Sequence, residues 1–125
     1  MFSHMTVGSN DLTKAKTFYD AVFTAIGAKP SVTDPRGRLF YRHNGSSFVI
    51  TEPIDGAPAS HGNGSTIGFT MDSPEQAAAW HAAGIAAGGT SIEDPPGWRD
   101  GNTGRIYLAY LRDPDGNKLC AMHRG

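Results

Sequence analysis

The sequence is short of the features that would point to an oxidising, membrane or nucleic-acid setting. It contains one cysteine, Cys120, in 125 residues. No intrachain disulfide can form, so a reducing, cytoplasmic location is expected. Charge of one sign is also lacking: 11 Lys and Arg against 12 Asp and Glu leave a net charge of −1. No broad basic face for nucleic acid and no polybasic patch for a membrane surface are expected. No apolar run approaches the roughly 20 residues of a membrane-spanning helix. Met1 to Met5 lacks the charged start and apolar stretch of a secretory signal. At this length a single domain over residues 1–125 is expected.

What is present is punctuation and short periodic segments. The 16 Gly and 8 Pro are spread between elements, which predicts turns rather than a disordered tract. Phe2 to Gly8 reads as a first strand. Asn10 and Asp11 can cap a helix over Leu12 to Ile26, where Ala15, Phe18, Tyr19, Val22, Phe23 and Ile26 recur at helical spacing. Lys29 to Val32, Arg38 to Arg42 and Ser46 to Glu52 read as strands, with His43-Asn44-Gly45 as a hairpin loop. The pattern then restarts with a strand over Gly64 to Met71. Ser73-Pro74-Glu75-Gln76 is a helix start with a capping box. Ala77, Trp80 and Ala83 can form its buried stripe, and Gly84 or Gly88-Gly89 ends it. Thr90 to Ile92, Gly104 to Arg112 and Asn117 to His123 read as three further strands, the last two joined by Pro114-Asp115-Gly116.

This order is an internal repeat. His4 and Thr66 are 62 positions apart, and the hairpin glycines Gly45 and Gly116 are 71 apart. The nine additional residues fit the Gly/Pro/Asp-rich stretch Glu93 to Thr103, expected to be a loop. The expected fold is α+β: two βαβββ modules, residues 1–58 and 64–125, forming a curved, mostly antiparallel mixed sheet around a small-molecule pocket.

The segments Phe2-Ser3-His4-Met5-Thr6-Val7-Gly8, Asn10-Asp11-Leu12 with Phe18-Tyr19, and Tyr110-Leu111-Arg112-Asp113-Pro114-Asp115-Gly116-Asn117-Lys118-Leu119 carry a resemblance over the whole chain. The sequence resembles the vicinal-oxygen-chelate superfamily, the glyoxalase, bleomycin-resistance and dioxygenase group. The resemblance implies a small organic molecule as partner and a homodimer as assembly. It implies no single activity, because one fold hosts many chemistries. If the chain is an enzyme, the resemblance implies a glyoxalase-like lyase or isomerase, or a dioxygenase.

Members that use a metal supply four ligands, one from the first and one from the last strand of each half. Carried over by position, these fall at His4, Thr66, Val49 and Cys120. Only His4 is a good ligand, and zinc normally takes three or four protein donors. The expectation is therefore a pocket without cofactor. The alternative is a metal-dependent enzyme with a divergent site centred on His4, holding a divalent ion such as Zn, Ni, Fe or Mn.

Alternation assigns the pocket face. If Pro114-Asp115-Gly116 is a three-residue loop, Tyr110 opposes Cys120 and Leu108 opposes Met122. The same counting sets Leu39 opposite Val49 in the first half. The expected pocket side then includes Leu39, Val49, Thr51, Ile106, Leu108, Tyr110, Cys120 and Met122. Trp98 and Arg99 lie on the inserted stretch. They read either as a lid over an anionic or aromatic ligand, or as an exposed loop with the Trp packed down. Asp113 and Asp115 read as turn formers.

Overall fold

The structure, a computed structural model, describes residues 1–125. Two helices start on matching caps. Asp11 Oδ1 accepts from the Lys14 N–H at 3.1 Å and opens α1 (Leu12–Ala25). Ser73 Oγ accepts from the Gln76 N–H at 3.0 Å and opens α2 (Pro74–Ala86). Each bond satisfies an amide that the first helical turn leaves free. Gln76 completes its box one residue early: its Oε1 accepts from the Asp72 N–H at 2.7 Å.

The predicted stripe of α1 is buried throughout, from Ala15 to Ile26. On α2, Ala77, Trp80, His81 and Gly84 are buried. Gly84 does not end the helix. It lies inside α2, and a Cβ there would press on Leu111 and stand 3.1 Å from Val22 Cγ1 and 3.2 Å from Phe18 Cε1. Its missing side chain permits close approach of α1, α2 and the sheet, which outweighs the propensity cost of roughly 1 kcal/mol.

The strands form two mixed sheets. The first contains β1 (His4–Gly8), β2 (Val32–Thr33), β3 (Leu39–His43) and β4 (Ser46–Thr51), in the order β1-β4-β3-β2. The second contains β5 (Ile67–Thr70), β6 (Thr90–Ser91), β8 (Gly104–Arg112) and β9 (Lys118–Arg124), in the order β5-β9-β8-β6. The expected inserted loop contains a further strand, β7 (Gly97–Gly101), antiparallel to β8. Its sequence, GWRDG, has no apolar alternation, and pairing with β8 creates the strand.

The repeat is visible in hydrogen bonds. Ser9 N donates to Thr51 O at 2.9 Å, and Met71 N donates to Met122 O at 2.7 Å. Donors and acceptors are displaced by the 62 and 71 positions seen in the sequence. β1 and β5 are both edge strands. The two sheets join through side chains instead of backbone: Phe69 of β5 packs edge-on against Phe48 of β4 at 5.3 Å and against Phe23 of α1 at 5.6 Å. One hydrophobic cluster draws on both sheets and both helices.

The Asp113 hairpin ties the second sheet to the first helix. Asp113 is buried. Its carboxylate accepts from the amides of Asp115 at 2.9 Å and Asn117 at 2.8 Å, from Asn117 Nδ2 at 2.9 Å, and from the Tyr19 hydroxyl at 2.5 Å. Asn117 Nδ2 also donates to Gly8 O at 3.2 Å. Burial, and then the Asp113 charge, hold the Tyr19 hydroxyl well above its ordinary pKa. The carboxylate is a turn former, as expected, and also a clamp between the halves.

Candidate functional site

Register decides which residues face away from the helices. In the second half the expected pairing is present: Tyr110 opposes Cys120 and Leu108 opposes Met122. In the first half it is displaced by one. Leu39 opposes Ile50, and Phe40 opposes Val49. His43 remains in the strand, and the turn is Asn44-Gly45, with φ of 50° and 86°. Both residues occupy left-handed backbone, as a two-residue hairpin requires. Leu39 is thereby corrected: it shares a face with Tyr41, Phe48 and Ile50 in the core under the helices.

The open face of the first sheet carries His4, Thr6, Phe40, Arg42, Ser47, Val49 and Thr51. That of the second carries Gly68, Thr70, Arg99, Ile106, Leu108, Tyr110, Arg112, Lys118, Cys120, Met122 and Arg124. Five of these strand residues are cationic and none is a carboxylate. Thr66 is exposed, one residue before β5. Val49, Leu108 and Cys120 are buried although they lie on this face.

Between the edge strands lies a cleft enclosing about 350 Å³. Its walls are Met1, Phe2, His4 and Met5 on one side and Ile67 to Thr70 on the other, over Phe23, Tyr41, Phe48 and Phe69. His43, Asn44, Ser46 and Ser47 line one end. Of the residues predicted for the pocket, only His4 lines this cleft. His4 is exposed, with Nδ1 2.8 Å from Ser3 Oγ.

The donor set does not suit a divalent metal. Thr66 and Val49 supply no strong donor, and no three His, Cys, Asp or Glu side chains come together. Burial pushes the Cys120 thiol above its ordinary pKa, against an opposing hydrogen bond from Tyr110, which disfavours the thiolate that binds metals. Burial likewise raises the Tyr110 hydroxyl.

Trp98 and Arg99 divide between the two faces. Trp98 pairs with Tyr107, on the face opposite the predicted pocket. Its ring stacks edge-on with Tyr107 at 5.5 Å and lies under Arg105 at 4.6 Å. Arg99 pairs with Ile106 on the open face. Its guanidinium donates to the carbonyls of Gly97 and Leu108 at 2.9 Å, Asp94 at 3.0 Å and Pro95 at 3.2 Å. Arg99 thus braces the loop before β7.

Sequence reasoning missed Lys118, Glu93 and Gly68. Lys118 Nζ lies 5.0 Å from the centre of the Tyr110 ring and pairs with Glu93. Alternation from Cys120 could have found Lys118, and alternation from Thr66 could have found Gly68. Glu93 had no such signal, because its placement depends on a left-handed backbone, φ 57°.

Comparisons with known proteins agree with this architecture. The family model described as Glyoxalase/Bleomycin resistance protein/Dioxygenase superfamily matches residues 1–121. The chain belongs to that superfamily. It is 60% identical to a glyoxalase/bleomycin resistance protein from Albidiferax ferrireducens, whose crystal structure superposes with a TM-score of 0.95 over 99% of each chain. A glyoxalase/bleomycin resistance protein/dioxygenase family enzyme from Burkholderia phytofirmans shares the fold at 20% identity, with a TM-score of 0.74 over 98% of each chain. A lactoylglutathione lyase from Agrobacterium tumefaciens does so at 20% identity and a TM-score of 0.67, over 98% of this chain and 92% of that one. No functionally curated protein matches the chain.

Proposed function

We propose that this chain is a metal-independent member of its superfamily that binds a small organic molecule between and across the open faces of its sheets. The observation that carries the reading is the donor set: one exposed histidine, one buried thiol held protonated, a threonine and a valine at the four ligand positions. The aromatic-floored cleft supports it, since apolar concavities of this size suit small ligands. The same reading takes the protein as a cytoplasmic homodimer. Its support is the single cysteine and the open sheet edges, β1 and β5 among them. No helix is long and apolar enough to cross a membrane.

Metal analysis after purification without chelators, from cells grown with added Zn, Ni, Fe and Mn, tests the reading. The expected result is no stoichiometric metal and an unchanged melting temperature on adding chelator. One metal per chain that disappears in His4→Ala would overturn it in favour of a metal enzyme centred on His4.

A further inference from the structure

The open face of the second sheet carries Arg99, Arg112, Lys118 and Arg124 without a single strand carboxylate. The one acid that reaches it is Glu93, from the loop after β6. Its carboxylate pairs with Lys118 beside the Tyr110 ring. Glu93 is a non-glycine residue at φ 57°, a conformation that costs about 1 kcal/mol. Lys118 is the more covered partner, its side chain 23% exposed against 45% for Glu93. A fixed cation on the sheet is therefore matched by a carboxylate on a strained, exposed loop.

This ion pair connects with the cleft. Gly68 lies between them, opposite Cys120 on β9, and a Cβ built there meets nothing within 4 Å. Gly68 lines the cleft, and its absent side chain leaves the β5 surface uncovered on the side where Cys120 stands beside Tyr110. The next pair along this face, Leu108 and Met122, is apolar, with Met122 partly exposed.

We propose that the ligand is a small apolar molecule bearing a carboxylate, lying across Gly68 with its carboxylate on Lys118 in place of Glu93. Glu93 is then an internal stand-in that occupies the cation until ligand displaces it. The exchange is of one carboxylate for another, so Lys118 is never left without a counter-charge, and a charge-assisted bond is retained. This inference rests on the small-molecule reading above.

The test titrates the full chain with 2-naphthoate and its neutral isostere 2-naphthamide at low ionic strength, by calorimetry. The expected result is naphthoate binding about tenfold tighter than the amide, with the preference lost in Lys118→Met. Glu93→Gln removes the competitor and should tighten naphthoate several-fold, an effect that shrinks with added salt. Gly68→Val should weaken both probes at an unchanged melting temperature, since its side chain covers that surface and does not enter the core. Equal binding of the two probes would overturn the carboxylate inference and leave the small-molecule reading standing. No naphthoate binding, or an unchanged affinity in Glu93→Gln, would also overturn the inference. A resident metal would sink the earlier reading independently.

Discussion

The two helices, compared at the repeat's displacement of 62, are almost the same object. Asp11 and Ser73 cap them, Ala15 and Ala77 give close approach, and Phe18 and Trp80 fill the core. Tyr19 and His81 each send a polar atom to its own anchor, Asp113 and Ser91. The correspondence breaks at Val22 and Gly84. These two face each other across the helix contact, 3.1 Å from Val22 Cγ1 to a Cβ built on Gly84. At the separation seen here there is no room for a branched side chain on both helices. One copy holds the volume and the other gives it up.

Making the two helices alike at that point should have the largest effect. Gly84→Val inserts a side chain against Leu111, Val22 and Phe18, and should destabilise by about 3 kcal/mol, read as a lower urea midpoint. The exchange Val22→Gly with Gly84→Val should recover part of the loss. If the double variant is no better than the single one, the two positions do not share one space.

The hairpins supply the next contrast. Asp113→Ala leaves the Tyr19 hydroxyl and the Asn117 and Asp115 donors without their acceptor, and should cost about 2–3 kcal/mol. Asn44→Ala, in the turn of the first half's hairpin, only strains a left-handed residue in an exposed turn and should cost about 1 kcal/mol. Equal unfolding free energies for the two variants would dissolve the distinction between a clamp and a bare turn.

The smallest effect separates Tyr19 from His81 by pH. Burial holds His81 below its ordinary value of 6.5, against the opposing pull of the Tyr110 backbone carbonyl, which favours the protonated ring. The unfolded chain therefore takes up this proton more readily than the folded one. The histidine's contribution is complete above the unfolded value and is lost as the pH falls through the lower folded value. Urea midpoints measured on either side of pH 6.5 should fall slightly with acid in the parent, and by less in His81→Gln. Tyr19, raised far above this window, should contribute no such slope, and an equal acid loss in Tyr19→Phe and its parent is expected.

What could be foreseen differed between the halves for local reasons. Pro114 and Gly116 mark a three-residue loop, so every pairing in β8 and β9 could be counted from it. In the first half Asn44 adopts left-handed backbone, which asparagine does more readily than most other non-glycine residues. His43 therefore stays in its strand, the loop shortens by one residue, and Leu39 moves to the opposite face. The strand at Gly97–Gly101 was not legible, because its partner and not its own composition keeps it extended.

By itself the sequence determined the two caps, the buried stripe of α1, the βαβββ repeat and the poverty of metal ligands. The caps and the stripe follow from residue type and spacing along one element, the repeat from matched order in the two halves, and the poverty of ligands from the positions that the family resemblance implies. Only the tertiary structure decided that the repeat forms two sheets joined by Phe48 and Phe69, that Trp98 faces away from the predicted pocket, and that Glu93 reaches Lys118. Each of those depends on segments distant in the chain meeting in space, which no local period encodes.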